Sequence, residues 1–308
     1  MLFRDALNYA ITKANLGKAG STDRGVMAFA KMAFNRSAER VWDSYNWPNS
    51  KVSLLKLVTD EAEVTFPDYV AGVLAARRDN QRMAPKDAEL MTASDPDMFE
   101  LIGPPAAYLG LPDAAVTAQP ATATPLFCAS DNGGDQGGVM IDGTLADGST
   151  ARCQVTLNGT EGVATELPFA SVLSVAKDKT AGTVFVSDGV SVLASLRPDD
   201  DRSAYVRVKL VPAPDEETTL YFQVKRKFYP LSDDRDVFPV REAEDAVIDA
   251  TVAELFDYNG NFEAGAVFHR VAENKVKAAI ALVTKSRARE QRVTPRFPMF
   301  AEVGEFTL

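Results

Sequence analysis

The sequence predicts an α+β protein: a helical bundle packed with a small antiparallel sheet, plus an inserted all-β sandwich-like domain and an extended C-terminal tail. Three observations predict it. Apolar residues recur at helical spacing near both ends of the chain. Between residues 126 and 198, short strand-like runs alternate with glycine and aspartate turns. Beyond Ala288, prolines and phenylalanines replace any helical period.

The chain of 308 residues has room for two domains. Its composition, 46% hydrophobic and 25% charged, is that of an ordinary globular protein. No apolar run reaches the ~20 residues of a membrane span, and no basic segment followed by an apolar core opens the chain, so neither a membrane partner nor a secretory leader is expected. A net charge of −10 argues against wrapping nucleic acid by phosphate neutralisation. It permits an acidic wall past which nucleic acid slides. Cys128 and Cys153 read as two reduced thiols, with a cross-strand contact between them left open.

At the N-terminus, Phe3, Leu7, Ala10, Ile11 and Ala14 form one helical stripe, stopped by Gly17 and Gly20. A second helix is expected from Gly25 to Tyr45, with Val26, Ala30, Ala33, Phe34, Val41 and Tyr45 inward and Pro48 as its stop. Trp42 and Trp47 close it, as core anchors or as subunit-contact candidates. Strands are expected at 52–58, 63–67 and 69–78, the alanines of the last leaving a helix open. A short helix is expected around Asp87–Met91. Five prolines between 103 and 125 argue for an extended linker and against a central strand.

The block 126–198 contains seven strand-like runs. Ala146-Asp147-Gly148, Asn158-Gly159 and Ser187-Asp188-Gly189 supply hairpin-type turns, so a small β-sandwich is expected. Residues 204–211 and 218–228 then read as a hairpin that pairs with the earlier strands. Helices at 241–258 and 262–289 follow, joined by Asn259-Gly260-Asn261. The expected organisation is a core in two parts, 1–125 and 199–287, an inserted β-domain at 126–198, and a tail at 288–308.

Catalytic chemistry is hard to assemble from these residues. His269 is the single histidine, on the apolar side of a helix, where a core or interface role is expected. Cys128 and Cys153 lack metal-ligand spacing. Asp131–Gly138 fails both the calcium-loop and phosphate-loop patterns and reads as a flexible turn. The acidic runs Asp199–Asp201 and Asp233–Asp234 read as solvated turns. No cofactor, no metal and no catalytic residue is expected. Lys225, Arg226 and Lys227 interleave with aromatics. Strand alternation splits them between two faces, so a charged subunit interface competes with a nucleic-acid patch.

Four features then act together: Val41-Trp42-Asp43-Ser44-Tyr45-Asn46-Trp47-Pro48; Val64-Thr65-Phe66-Pro67; Val206–Pro214 followed by Thr218–Pro230 with its Lys-Arg-Lys centre; and the closing helices around Ala253-Glu254-Leu255 and Asn259-Gly260-Asn261. In this combination the chain resembles the head-to-tail connectors of tailed bacteriophages, the neck, adaptor or tail tubular A-like proteins. The block at 126–198 is similar to β-domains found in some of them, through Val155–Thr160 and Val172–Lys177. The resemblance implies a structural, non-enzymatic virion protein, made in the host cytoplasm and placed in the neck between capsid and tail. It implies a homo-oligomeric, dodecameric ring that docks on the portal protein, joins a downstream tail or nozzle protein, and leaves a channel through which genomic DNA passes without sequence-specific binding. It also implies a portal-engaging C-terminal extension, which here places Phe297, Phe300, Phe306 and Leu308 as partner-binding candidates. Two other readings stand beside it: a carbohydrate-binding or host-adhesion protein using the β-domain, and a carboxylate-dependent hydrolase for which no residue pair is nominated.

Overall fold

A computed structural model describes residues 1–16, 24–79, 81–86 and 101–293. The chain forms two compact units, residues 1–50 with 228–308, and residues 51–227.

The first unit holds helices α1 (Phe3–Lys13), α2 (Arg24–Ser44), α3 (Glu244–Tyr258) and α4 (Phe262–Val293). Helix α3 is its centre. Ala246 through Asp249 and Thr251 through Leu255 are all buried. Successive helical residues point about 100° apart, so such a run is covered on every side. Helices α1, α2 and α4 supply that cover. The stripe Phe3, Leu7, Ala10, Ile11 and Ala14 is buried as its spacing predicts, and Phe3 meets the Phe34 ring edge-on at 5.2 Å. Gly260, at φ +77°, turns the chain between α3 and α4, and the Asn261 side chain caps α4 by accepting the Ala264 N–H. Residues 288–293, expected in an extended tail, continue α4.

The second unit begins with β1 (Lys51–Thr59), β2 (Glu63–Thr65), β3 (Val70–Arg78), β4 (Gln81–Lys86) and β5 (Ala107–Ala114). It continues with β6 (Thr124–Ser130), β7 (Gly138–Thr144), β8 (Thr150–Thr156), β9 (Val163–Phe169), β10 (Ser171–Lys177), β11 (Val184–Ser187) and β12 (Val192–Leu196). It closes with β13 (Tyr205–Val211) and β14 (Thr218–Arg226). Strands β6 to β12 form two sheets, β10-β7-β8 and β12-β11-β6-β9. Val139, Ile141 and Val155 of one meet Leu126, Val184 and Val186 of the other in a shared core. That core reaches beyond the block, to Val116 and Tyr205. The turns at Gly148 and Gly189 close hairpins, whereas Asn158-Gly159 carries the chain from one sheet to the other.

The remaining seven strands form one sheet in the order β1-β14-β3-β4-β5-β13-β2. Strands β1 and β2 stand at opposite edges, yet only residues 60–62 join them. The sheet therefore curls until its edges approach, and the concave side encloses Phe66, Met83, Leu210, Phe222 and Val224.

This overturns the expected helical bundle with a small antiparallel sheet. The protein is mostly β, with 38% of residues in strands and 30% in helices, and the sheet is large, curled and mixed, since β4 and β5 run parallel. Two of its strands contain a proline, and one of them, β5, lies in the stretch expected to be a linker. Pro112 of β5 falls where the register with β13 slips, beyond the end of β4, so its missing N–H breaks no ladder bond. Ala84 donates its N–H toward β5, to Ala106 O at 3.1 Å, so Pro85 presents its nitrogen to the other side, past the last residue paired with β3. The expected hairpin also dissolves. Strand β13 lies between β5 and β2, and β14 between β1 and β3, so the two are not paired with each other. The helix expected around Asp87–Met91 lies outside the described residues.

Candidate functional site

In the helical unit, α2 and α4 both pack on α3 and leave a cleft of about 300 Å³ between them. Small side chains create it. Ala246 and Ala250, one turn apart on α3, form its floor, with Ala272 of α4 beside them. Val41 and Val276 complete an apolar wall, and Arg40, Glu273 and Lys277 stand at the rim. Ser37 lines the same cleft. Its side chain is buried and its Oγ has no hydrogen-bond partner among the described residues. An unpaired buried hydroxyl forfeits the hydrogen bond that water would supply.

Polar residues brace the cleft from behind. Glu254 on α3 lies 3.1 Å from Arg40 and 3.6 Å from Arg36. Burial pushes its carboxyl above the usual range, with Arg40 and Arg36 acting against the rise. Asp249, 1% exposed, is held by Lys13 at 2.5 Å and Lys275 at 2.6 Å. His269 lies at the cleft rather than in the core, half-exposed, with Nε2 donating to Asp257 Oδ2 at 3.0 Å.

Asp257, His269 and Ser37 are the residue types of a nucleophilic relay. A relay requires the hydroxyl to bond the imidazole and to face a substrate. The Ser37 Oγ bonds nothing and is shut inside the wall, so the three do not form one. Among the described residues, no group of three or more His, Cys, Asp or Glu side chains is arranged to hold a metal ion.

A second concavity, about 490 Å³, lies on the outer face of the β10-β7-β8 sheet. Strand register places Ser174, Asp142 and Arg152 side by side across it. Arg152 pairs with Asp142 at 2.5 Å, and Ser174 donates to the same carboxylate at 3.0 Å, which together hold the Asp142 pKa down. Arg202, Ser203 and Asp113 line the facing wall. The neighbouring glycine-rich loop is not a free turn. Asp135 accepts the Ala181 and Gly182 N–H groups at 2.8 and 2.9 Å and the Ser130 hydroxyl at 2.6 Å. Those bonds, the Ser130 hydroxyl first, lower its pKa. Lys177 of the acidic run's surroundings is buried too, donating to Pro198 O at 2.9 Å.

Of the residues singled out in the sequence, Trp42 and Trp47 sit in the core of the helical unit, at 4% and 0% exposure. Trp47 Nε1 donates to Val41 O at 2.8 Å, and the Trp42 ring lies 6.1 Å from Phe228. Both are packed within their own chain. Lys225 and Arg226 end β14, and Lys227 Nζ donates to Ala204 O at 2.7 Å, a contact within the chain. Phe297, Phe300, Phe306 and Leu308 lie outside the described residues. Cys128 and Cys153 are both buried free thiols, and burial pushes Cys128 up to about 12.

The sequence did not single out Ser37, Arg40, Glu254 or Lys277. The alanine pair Ala246/Ala250, one helical turn apart, was the available signal of a gap beside α3. No protein-family model matches the chain, and no curated protein matches it.

Proposed function

We propose that the protein is a structural head-to-tail adaptor of a tailed-phage virion, a homo-oligomeric ring that docks on the portal and joins it to the tail around a channel for the genome. The observation that carries the reading is the uncovered apolar surface of the helical unit. Helix α4 buries Gly265, Ala272, Ala279 and Val283 against α3 and leaves Val267, Val271 and Leu282 outward, with Phe262 at its start. Isolated apolar residues on a surface need no explanation, but an apolar row along one long helix suits contact with another protein. The bracing of α3 by buried ion pairs suits a rigid part that carries load rather than a site that turns over substrate. The net charge of −10 suits a lumen that DNA must not stick to.

The test is reconstitution. Purified protein mixed with its portal should form a defined ring complex by native mass spectrometry. Removing residues 294–308 should abolish portal docking while leaving the circular dichroism spectrum unchanged. A truncated chain that still joins heads to tails would sink the reading.

The concavity of about 490 Å³ beside Asp142, Arg152 and Arg202 favours a second reading, glycan binding through the sandwich. Saturable glycan binding lost in Arg152→Ala, with no affinity for portal, would replace the first reading by this one.

A further inference from the structure

We infer that the outer face of β1, β14, β3 and β4 binds the phosphate backbone of nucleic acid, through a row of cations that crosses the four strands. The inference goes beyond the ring reading and does not need it, because a single chain carries the whole row.

Acids outnumber bases in this chain, 43 to 33. These four neighbouring strands reverse the balance. Together they carry eight lysines and arginines and no aspartate or glutamate. Burial fixes which way the side chains point. Phe222 of β14, Ala76 of β3 and Met83 of β4 face the concave core, so the residues next to them along each strand face outward. Register then puts the outward residues in line. Lys56 stands opposite Tyr221, Tyr221 opposite Arg77, and Arg77 opposite Arg82. Lys56, Arg77 and Arg82 are exposed.

Among the described residues, no carboxylate pairs with these three cations. Glu63 is taken by Arg207 and Asp68 by Arg197. Two arginines directly opposite each other across a ladder repel, and an anion laid along the row removes that repulsion. The Arg77 guanidinium is held 5.1 Å over the Tyr221 ring, which fixes one fork of the row in advance.

The row spans three interstrand spacings, about 14 Å. One strand of a duplex presents a phosphate about every 3.4 Å along its axis, so about four of them pass over the row. The net charge of −10 does not forbid this. It is a sum over the whole chain, whereas screening limits what a phosphate feels to charges within about 8–10 Å. The surroundings of the row also favour a backbone over a protein partner. Gln223, Ala75 and Ala84 flank it, with no large apolar side chain among them. Protein interfaces are depleted of charge at their centres, while nucleic-acid interfaces are polar and strongly positive.

The experiment is fluorescence anisotropy of a labelled duplex of about 20 base pairs, titrated with the full chain between about 50 and 200 mM salt. Three phosphate contacts give a slope of log K against log salt of about −2.7, so binding should weaken roughly 40-fold across that range. The matching single strand should give a slope of about −2.1. A duplex of scrambled sequence should bind equally well, because phosphate contacts carry no sequence information. Arg82→Gln should weaken duplex binding roughly tenfold at 50 mM salt and bring the slope to about −1.8. The same substitution should raise the melting temperature of the free protein, since it relieves the repulsion from Arg77, so lost binding is not lost folding. Arg270→Gln, which removes an equal charge from α4, should leave affinity and slope as they are. Duplex binding that is absent at 50 mM salt, or that Arg82→Gln and Arg270→Gln weaken alike, overturns the inference. Self-association abolished by Arg82→Gln, without duplex binding, overturns it in favour of an acidic surface on a second copy. Each of these failures leaves the ring reading to its own test with portal.

Discussion

At the scale of single residues, the helical unit concentrates its risk in α3. Asp249 is buried between two lysines that themselves reach solvent. Replacing one lysine leaves the other to balance the carboxylate. Replacing both leaves a buried charge alone. Lys13→Met with Lys275→Met should therefore cost about 3 kcal/mol, more than the sum of the two single changes, because a buried charge that loses its partners is costly. Urea unfolding of the two single variants and the double measures that coupling. Glu254 has the opposite sense. Its folded pKa is raised, chiefly by burial. The folded state then holds its proton more tightly than the unfolded state. The resulting contribution is favourable below the unfolded carboxylate pKa and is lost as pH rises through the folded one. Glu254→Gln should remove that decline in thermal unfolding followed across the mildly acidic range. Asp135 runs the other way, since its hydrogen bonds lower the pKa. Its contribution is present above the unfolded pKa and lost as pH falls through the folded one, and Asp135→Ala should erase that acid sensitivity of the sandwich. None of these roles could be read from the sequence, because an aspartate between helices and one in a turn look alike until partners some 236 or 46 positions away are brought to them.

At the scale of elements, most of what periodicity can show was legible. The stripes of α1 and α2, the two closing helices and all seven strands of the sandwich follow from spacing and turn residues. What failed was arrangement. Nothing local says that β13 and β14 part company, because strand pairing is decided by which partners the curled sheet brings alongside. Pro85 and Pro112 argue against strands until one sees that each spends its missing N–H where no partner strand stands. Close approach of elements has its own signature at Gly265. A Cβ there would lie 2.0 Å from Asp257 Oδ1 and 3.3 Å from Ala253 O. Helix propensity alone would favour Gly265→Ala by about 1 kcal/mol. Moving Asp257 also breaks its bond to His269, so the substitution should instead lower the melting temperature, as differential scanning calorimetry would read.

At the scale of the molecule, the sandwich is an excursion from the sheet. The chain leaves through β5 and returns through β13, and Ala114 and Tyr205 are paired neighbours in that sheet. Replacing residues 115–204 by a short glycine linker should leave the curled sheet folded, with its strand signal in circular dichroism retained. Collapse of that signal would show that Val116 and Tyr205, which enter the sandwich core, hold both parts together. The block's compositional change made the excursion legible at 126–198, but its true anchoring lies outside those limits because Val116 and Tyr205 look like linker and strand in the sequence.

The same economy of entry and exit has a mechanical side. The sheet unit is joined to the rest of the chain at Lys51, which opens β1, and at Lys227, the residue after β14, and Lys51 is paired with Lys225. Both attachment points thus sit at one end of a single antiparallel pair. Tension applied through them pulls that pair apart like a zipper, one hydrogen bond after another, instead of shearing many bonds at once. A unit tethered this way yields at low force when tugged by its own connections.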